Sequence, residues 1–355
     1  MAHTDRARQS ARRGGAGILV ASALGVGLLT FGSLPAGAAG HAAPTDSYAF
    51  DAPISAAVSG SDLFVANNAG DSVTEMDTSS GAYVNTIAGA AYKFDGPTAI
   101  VGLGSNLFVA NGSGNSVTEF AEADGTLVRV MRGTRYGFSD PLALATNGNH
   151  LFVLNGTGSV TEVGVSGGRV LGTASGSQFG FDAPTALALA GPNLFVVNSA
   201  GNSVTEIATH TLDLVGVLSG STYQFATPTG ITYDGHHLWV SNENGSSVTE
   251  ITPSTGAVVR VATSDEGYLP TPGPITFGDG YVFTASPPGS SPMITQITPR
   301  SGESNWMMCN TNGPYQFNNP QALVVAGTDL WVINEGGNSV TEMDTDSGAL
   351  LGYFS

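Results

Sequence analysis

The 355-residue chain is 41% apolar and carries 28 acidic against 11 basic side chains, a formal net charge of −17. It can therefore bury a large core, while its negative field repels phosphate backbones and anionic lipid, so nucleic acid and acidic membrane surfaces are excluded as partners. A single cysteine, Cys309, excludes an intramolecular disulfide framework and any CxxC metal knuckle, leaving it as a small buried hydrophobe or a free thiol for attachment.

The N-terminus reads as an export address. Arg6, Arg8, Arg12 and Arg13 precede an apolar stretch from about Gly17 to Leu34, and Ala36-Gly37-Ala38 supplies the small-residue pattern of a signal-peptidase site. Cleavage is expected near Ala38, with residues 39–45 as a short linker and a secreted or extracellular product that is not stably inserted in a membrane. Arg12-Arg13 also raises twin-arginine export, although Gly14 and Gly15 follow where a bulky apolar residue is usual; an uncleaved anchor is the other alternative. Removing residues 1–38 leaves seven basic against 27 acidic residues, a net charge of −20.

From residue 46 onward the chain repeats itself. Leu63-Phe-Val-Ala-Asn followed by Gly70-Asp-Ser-Val-Thr-Glu75 recurs from Leu107, Leu151, Leu194, Leu238 and Leu330, with a worn copy placed at Tyr281; the spacings are 44, 44, 43, 44, 43 and 49 residues. Each unit opens on a proline (Pro53, Pro97, Pro141, Pro184, Pro228, Pro272, Pro320), which a strand tolerates at its first residue. The Leu-Phe-Val strand follows, apolar on both faces as sheets sandwiched between sheets require. A Ser-Val-Thr-Glu strand, a turn such as Thr78-Ser-Ser-Gly81 and a fourth strand such as Ala82–Ile87 complete the unit. Four strands every 43–44 residues predict an all-β, seven-bladed β-propeller of four-stranded antiparallel blades over 46–355. The first unit starts at a first strand and the last ends at a fourth, so no strand is expected to be shared as a clasp.

These units resemble the NHL and YVTN-type propeller repeats, the match being carried by Leu107-Phe-Val-Ala-Asn111 and Asn115-Ser-Val-Thr-Glu-Phe120. The blade length also resembles, distantly, the virginiamycin B lyase-like propellers. That resemblance implies a histidine just after the strand proline, acting with glutamate and a divalent cation. Here those positions hold Ile54, Thr98, Leu142, Thr185, Thr229, Gly273 and Gln321, and the six histidines (His3, His41, His150, His210, His236, His237) form no general-base set.

Strand order puts the loops entering each first strand and those joining second to third strands on one face. The entry loops carry Tyr48, Tyr92, Tyr136, Tyr223 and Tyr315, read either as plugs sealing blade to blade or as stacking platforms for sugar or peptide. Asn67, Asn111, Asn155, Asn198, Asn242 and Asn334 are expected to serve as turn residues. Asp51, Asp95, Asp140 and Asp182 beside the prolines could form an oxygen-rich mouth for Ca2+ or another divalent cation, no other cofactor being implied. Glu75, Glu119, Glu162, Glu206, Glu250 and Glu342 sit on third strands, too far apart for one ion, so each is expected to be used locally. Blade six breaks the pattern, with Ala285 and Gln296 read in place of Asn and Glu; Trp306, Met307 and Met308, with Tyr315, form an asymmetric candidate site. The function expected is a non-enzymatic binding or scaffold module for an extracellular protein or glycan on the loop-rich face. The alternative is a divalent-metal lyase or lactonase-like hydrolase using the mouth carboxylates.

Overall fold

The structure, a computed structural model, describes residues 48–263, 269, 272–286, 292–309 and 314–355. The export segment and linker lie outside these residues. The described residues form seven separate four-stranded antiparallel sheets, each in the order first-second-third-fourth, with one short 3-10 turn at Ser177–Phe179 as the only helical element. The blades span 53–88, 97–132, 141–175, 184–219, 228–263, 275–309 and 320–354. First strands lie side by side around the ring, and Pro53–Ser59 of blade one also neighbours Pro320–Ala326 of blade seven, so the disc is closed. Among the described residues each blade is a continuous segment of chain, and no strand is exchanged at the closure, as the repeat boundaries require.

Local sequence dictates this geometry. Six first strands begin at their proline, whose missing N–H faces the irregular start of the sheet; a bulge follows between Pro53 and Ser55 and at the matching places in blades two, three, four, five and seven. The middle strands are buried nearly throughout: Asp62–Asn67 and Ser72–Asp77 each hold five buried residues of six, whereas the outer Tyr83–Ala88 holds one. Both faces of each sheet are therefore apolar. Phe64 packs on Ile100, Leu107 and Phe120 of blade two, while Leu63 and Val65 pack on Trp331 and Ile333 of blade seven. Burying one such side chain contributes about 1.5–3 kcal/mol, and closing the ring covers every inner face without caps.

Blade six carries a shift that the repeat spacing hid. Val282 pairs with Ile297 as Leu63 pairs with Met76, so Tyr281 corresponds to Asp62, and the asparagine position belongs to Ser286, not Ala285. Its first strand is also short, Ile275–Gly278, with Pro272 lying ahead of it.

Candidate functional site

The entry loops show why an aromatic pair recurs. In Tyr-x-Phe the middle residue takes a left-handed conformation: Ala49, Lys93, Gln224 and Gln316 have φ between 49° and 54°, and Gly137 and Gly180 lie at 63° and 62°. That reversal brings both rings to one side, where they stack with centroids 5.1–5.5 Å apart. The tyrosine hydroxyl then donates to a glycine carbonyl in the turn before the fourth strand: Tyr48 to Gly81 (2.5 Å), Tyr92 to Gly125 (2.7 Å), Tyr136 to Gly168 (2.9 Å), Tyr223 to Gly256 (2.8 Å) and Tyr315 to Gly348 (3.1 Å). Tyr48, Tyr136 and Tyr315 are buried and Tyr92 and Tyr223 half-buried, so in this conformation the rings fill seams between blades. Blade four has Phe179 there, and its partner position is Leu212 at φ 60°, whose side chain packs beside Phe179 over Gly172.

The repeated asparagines do something other than make turns. All six are fully buried at the ends of second strands, and none is left-handed. Each Nδ2 donates to the threonine hydroxyl of Ser-Val-Thr-Glu at 2.9–3.2 Å, and that hydroxyl donates to the backbone carbonyl of the entry-loop aromatic at 2.7–3.3 Å. The turn expectation is corrected: an unpaired amide at such depth would cost about 1–3 kcal/mol, and the relay instead pins the entry loop to its blade. The left-handed residues come later: Asp71, Asn115, Asn202, Ser246 and Asn338 four positions on, and Gly158 three. The Asp and Asn side-chain oxygens among them accept from the backbone N–H just before the next blade's proline: Asp71 from Gly96 (2.9 Å), Asn115 from Asp140 (2.7 Å), Asn202 from Thr227 (2.7 Å) and Asn338 from Ala52 (2.8 Å). These stitches between blades went unread, though the Asx-Ser pair ahead of Val-Thr-Glu was their signal.

The four rim aspartates do not form one ring. Asp51, Asp95 and Asp182 stand two residues before their prolines, but Asp140 stands one before, in the left-handed position. Among the described residues no group of three or more His, Cys, Asp or Glu side chains is placed to hold a metal ion. Asp140 does reach the mouth: a Cβ on Gly112 would lie 3.1 Å from its Oδ1 and one on Gly156 2.7 Å from its Oδ2, which is why both neighbours lack side chains.

The third-strand glutamates are buried, and four of them have partners on neighbouring strands. Asn106 (2.7 Å) and Arg129 (2.6 Å) hold Glu119; His237 (2.8 Å) and Arg260 (2.5 Å) hold Glu250; Asn193 (2.5 Å) holds Glu206; His150 holds Glu162. Burial pushes the Glu119, Glu206 and Glu250 carboxyls above their ordinary range despite these partners. The two histidines thus act as glutamate partners, invisible in sequence because the contact spans neighbouring strands.

In blade six Trp306 and Met307 lie on the outer strand Ser304–Cys309, opposite Gln296 and Thr295. Met308 is half-buried, and its sulfur lies 3.0 Å from the Tyr315 hydroxyl oxygen, placing it in the seam to blade seven.

What varies from blade to blade lies at the mouth. The residue after the proline and the residue after the buried asparagine are Ile54/Asn68, Thr98/Gly112, Leu142/Gly156, Thr185/Ser199, Thr229/Glu243 and Gln321/Glu335. Blades one to three present mainly apolar or absent side chains and blades four, five and seven polar or acidic ones. Thr98 donates across to the Pro141 carbonyl at 2.6 Å and Asn68 to that of Pro97 at 2.8 Å. Glu335 is oriented by two amides, Asn319 at 2.5 Å and Gln321 at 2.7 Å. Glu243 is half-buried, which pushes its carboxyl upward.

A family model described as outer membrane protein assembly factor BamB matches residues 36–262. The chain belongs to this family. Its BamB-like membership fits the propeller class expected from the repeats. No curated protein matches the chain. Among solved structures, hydrazine synthase of Kuenenia stuttgartiensis is similar at TM-score 0.67 and 15% identity, covering 86% of this chain and 98% of that one. A computationally designed protein, Ika8, gives 0.63 at 15% over 86% and 88%, and a streptogramin B lyase gives 0.61 at 14% over 83% and 93%. At such identity these likenesses speak for the fold of the BamB-like chain alone.

Proposed function

We propose that the chain is an exported propeller that binds an extracellular protein or glycan at the mouth of its loop-rich face and performs no chemistry on it. The observation that carries this reading is the uneven mouth: a sector with apolar Ile54 and Leu142, where the Asp140 carboxylate stands over Gly112 and Gly156, and a polar one in which Glu335 is fixed by Asn319 and Gln321. An apolar surface beside a few oriented polar groups is the composition of a recognition site. The repeated Tyr, Asn and Thr groups hold blades together, so the residues that differ between blades are left to choose a ligand. The NHL/YVTN-type character of the repeats and the acidic surface accord with an exported module. A glycan array probed with the full chain, followed by calorimetry on the best glycan, tests it: Glu335→Ala with Gln321→Ala is expected to weaken binding about tenfold or more at unchanged thermal midpoint, as the loss of charge-assisted hydrogen bonds would. Binding unaffected by the double variant rejects the site.

A second reading, a divalent-metal lyase or lactonase-like hydrolase, is favoured by the Asp140 carboxylate at the mouth and by the likeness in fold to a streptogramin B lyase. It requires Ca2+ or another divalent ion held with Asp51, Asp95 or Asp182. Stoichiometric metal in the purified protein, lost in Asp140→Asn, would favour it over the binding module.

A further inference from the structure

After residue 38 the chain has seven basic residues against 27 acidic ones, yet four of the seven, Arg129, Arg132, Arg135 and Arg169, fall in blades two and three and the connector between them. Three of these occupy repeat positions that other blades fill differently. The residue ahead of the entry-loop aromatic is Arg135 before blade three, against Ala91, Gln178, Thr222 and Pro314 before blades two, four, five and seven. The residue after the left-handed turn position is Arg169 in blade three, against Ala82, Thr126, Asp213, Ala257, Glu303 and Ala349 elsewhere. Opposite the third-strand glutamate stands Arg129 in blade two, as Arg260 does in blade five, where blades one, three, four and seven have Asn85, Gly172, Gly216 and Gly352.

Arg129 and Arg135 meet at Gly168, in the turn that leads into the fourth strand of blade three. A Cβ on Gly168 would lie 2.9 Å from the Arg129 Nη1 and 3.2 Å from its Cδ, so the missing side chain makes room for that guanidinium. The Gly168 carbonyl accepts the Tyr136 hydroxyl at 2.9 Å, and the same hydroxyl accepts from the Arg135 Nη2 at 2.8 Å. The Arg135 Cζ also lies 4.7 Å from the centre of the Tyr136 ring, so ring and hydroxyl together fix this side chain before any ligand arrives. Arg169 follows Gly168 in the chain. Arg129 is committed through its Nε to the buried Glu119, but Arg135 and Arg169 are exposed, and among the described residues neither is ion-paired.

We propose that this seam between blades two and three binds one tetrahedral oxyanion, a sulfate or phosphate group. With Glu119 set against Arg129, the Arg135 and Arg169 guanidiniums leave two uncompensated positive charges, which match a doubly charged group. Guanidinium forks present paired N–H donors to such oxygens, and charge-assisted bonds of this kind are the strong ones. The ligand is a single group and not a long polyanion, because a polyanion would run on from this basic spot over an acidic surface that repels it. The site lies on the outer rim, where the fourth strands run, and not among the first strands that ring the mouth. It goes beyond the ligand at the mouth and does not depend on it.

The test is calorimetric titration of the full chain with inorganic sulfate and with inorganic phosphate at constant ionic strength, sodium chloride making up the balance. One ion per chain is expected to bind, and Arg135→Gln and Arg169→Gln should each weaken it about tenfold or more, as the loss of a charge-assisted hydrogen bond does. Arg132→Gln is the control: it removes the same charge from the same neighbourhood, but Arg132 stands an odd number of residues from Arg129 and so on the other face of its strand, and affinity should stay within about twofold. Both substituted arginines are exposed, so an unchanged thermal midpoint verifies the fold of each variant. A sulfated or phosphorylated monosaccharide that binds at least about tenfold tighter than the matching ion, with the same dependence on Arg135, identifies the group as an ester; equal affinity identifies the free ion. No heat from either ion, or an equal loss in all three variants, overturns the site.

Discussion

Replacing Arg129 by methionine isolates the electrostatics of one blade. The Arg129 Nε lies 2.6 Å from a Glu119 carboxylate that is 1% exposed and takes a hydrogen bond from Asn106 at 2.7 Å on its other oxygen. Removing one member of a buried pair typically costs about 3–5 kcal/mol because the remaining charge is stranded. Arg129 is 27% exposed, so water screens part of that interaction, and Asn106 stays; the expected cost is about 2 kcal/mol at pH 7.5. Glu119 already titrates above its ordinary range through burial, and losing the cation raises it further. The folded variant then holds its proton to higher pH, so the penalty should shrink as the medium is acidified toward pH 5. Urea denaturation of Arg129→Met, Glu119→Gln and the double variant at both pH values measures this, the double variant being expected to recover more than half of the loss at pH 7.5. A cost below about 0.5 kcal/mol, or one equal at both pH values, would refute the argument.

Two further substitutions probe the seams. Tyr136→Phe should fold, since blade four uses Phe179, but it orphans the Gly168 carbonyl bonded at 2.9 Å and should lower stability by about 1–2 kcal/mol in the same urea assay. Gly81→Ala and Gly104→Ala share a left-handed backbone, φ 67° and 64°, but an added Cβ meets the Phe354 ring at 2.3 Å in the first and nothing within 4 Å in the second. Gly104→Ala should cost about 1 kcal/mol of strain, and Gly81→Ala should cost at least twice that by thermal denaturation.

The propeller was legible because its signals are local and recur: a proline at each strand start, apolar runs on both faces, a period of 43–44 residues. Partnerships were less so. Asn111 read as a turn residue because the sequence cannot show that its strand runs on through Asn111 itself, at a depth where its amide must find Thr118. His150 and Glu162 are 12 residues apart and meet only through strand register, and Asp71 meets Gly96 across a blade boundary 25 residues on. In blade six, starting the worn run at Tyr281 instead of Val282 moved the match from Ser286 to Ala285, an error of register that hydrogen-bonded pairs correct. The mouth was least legible, because its character lies in differences between copies.

Closure without an exchanged strand makes the ring indifferent to where the polypeptide is opened. The Tyr48 ring meets Phe354 edge-on at 5.6 Å, bringing the start of blade one against the last strand of blade seven, so a short peptide joining them would make one more inter-blade connector of the kind that residues 89–96 already provide. New termini could then be cut at any other connector, and whole blades could be moved as cassettes.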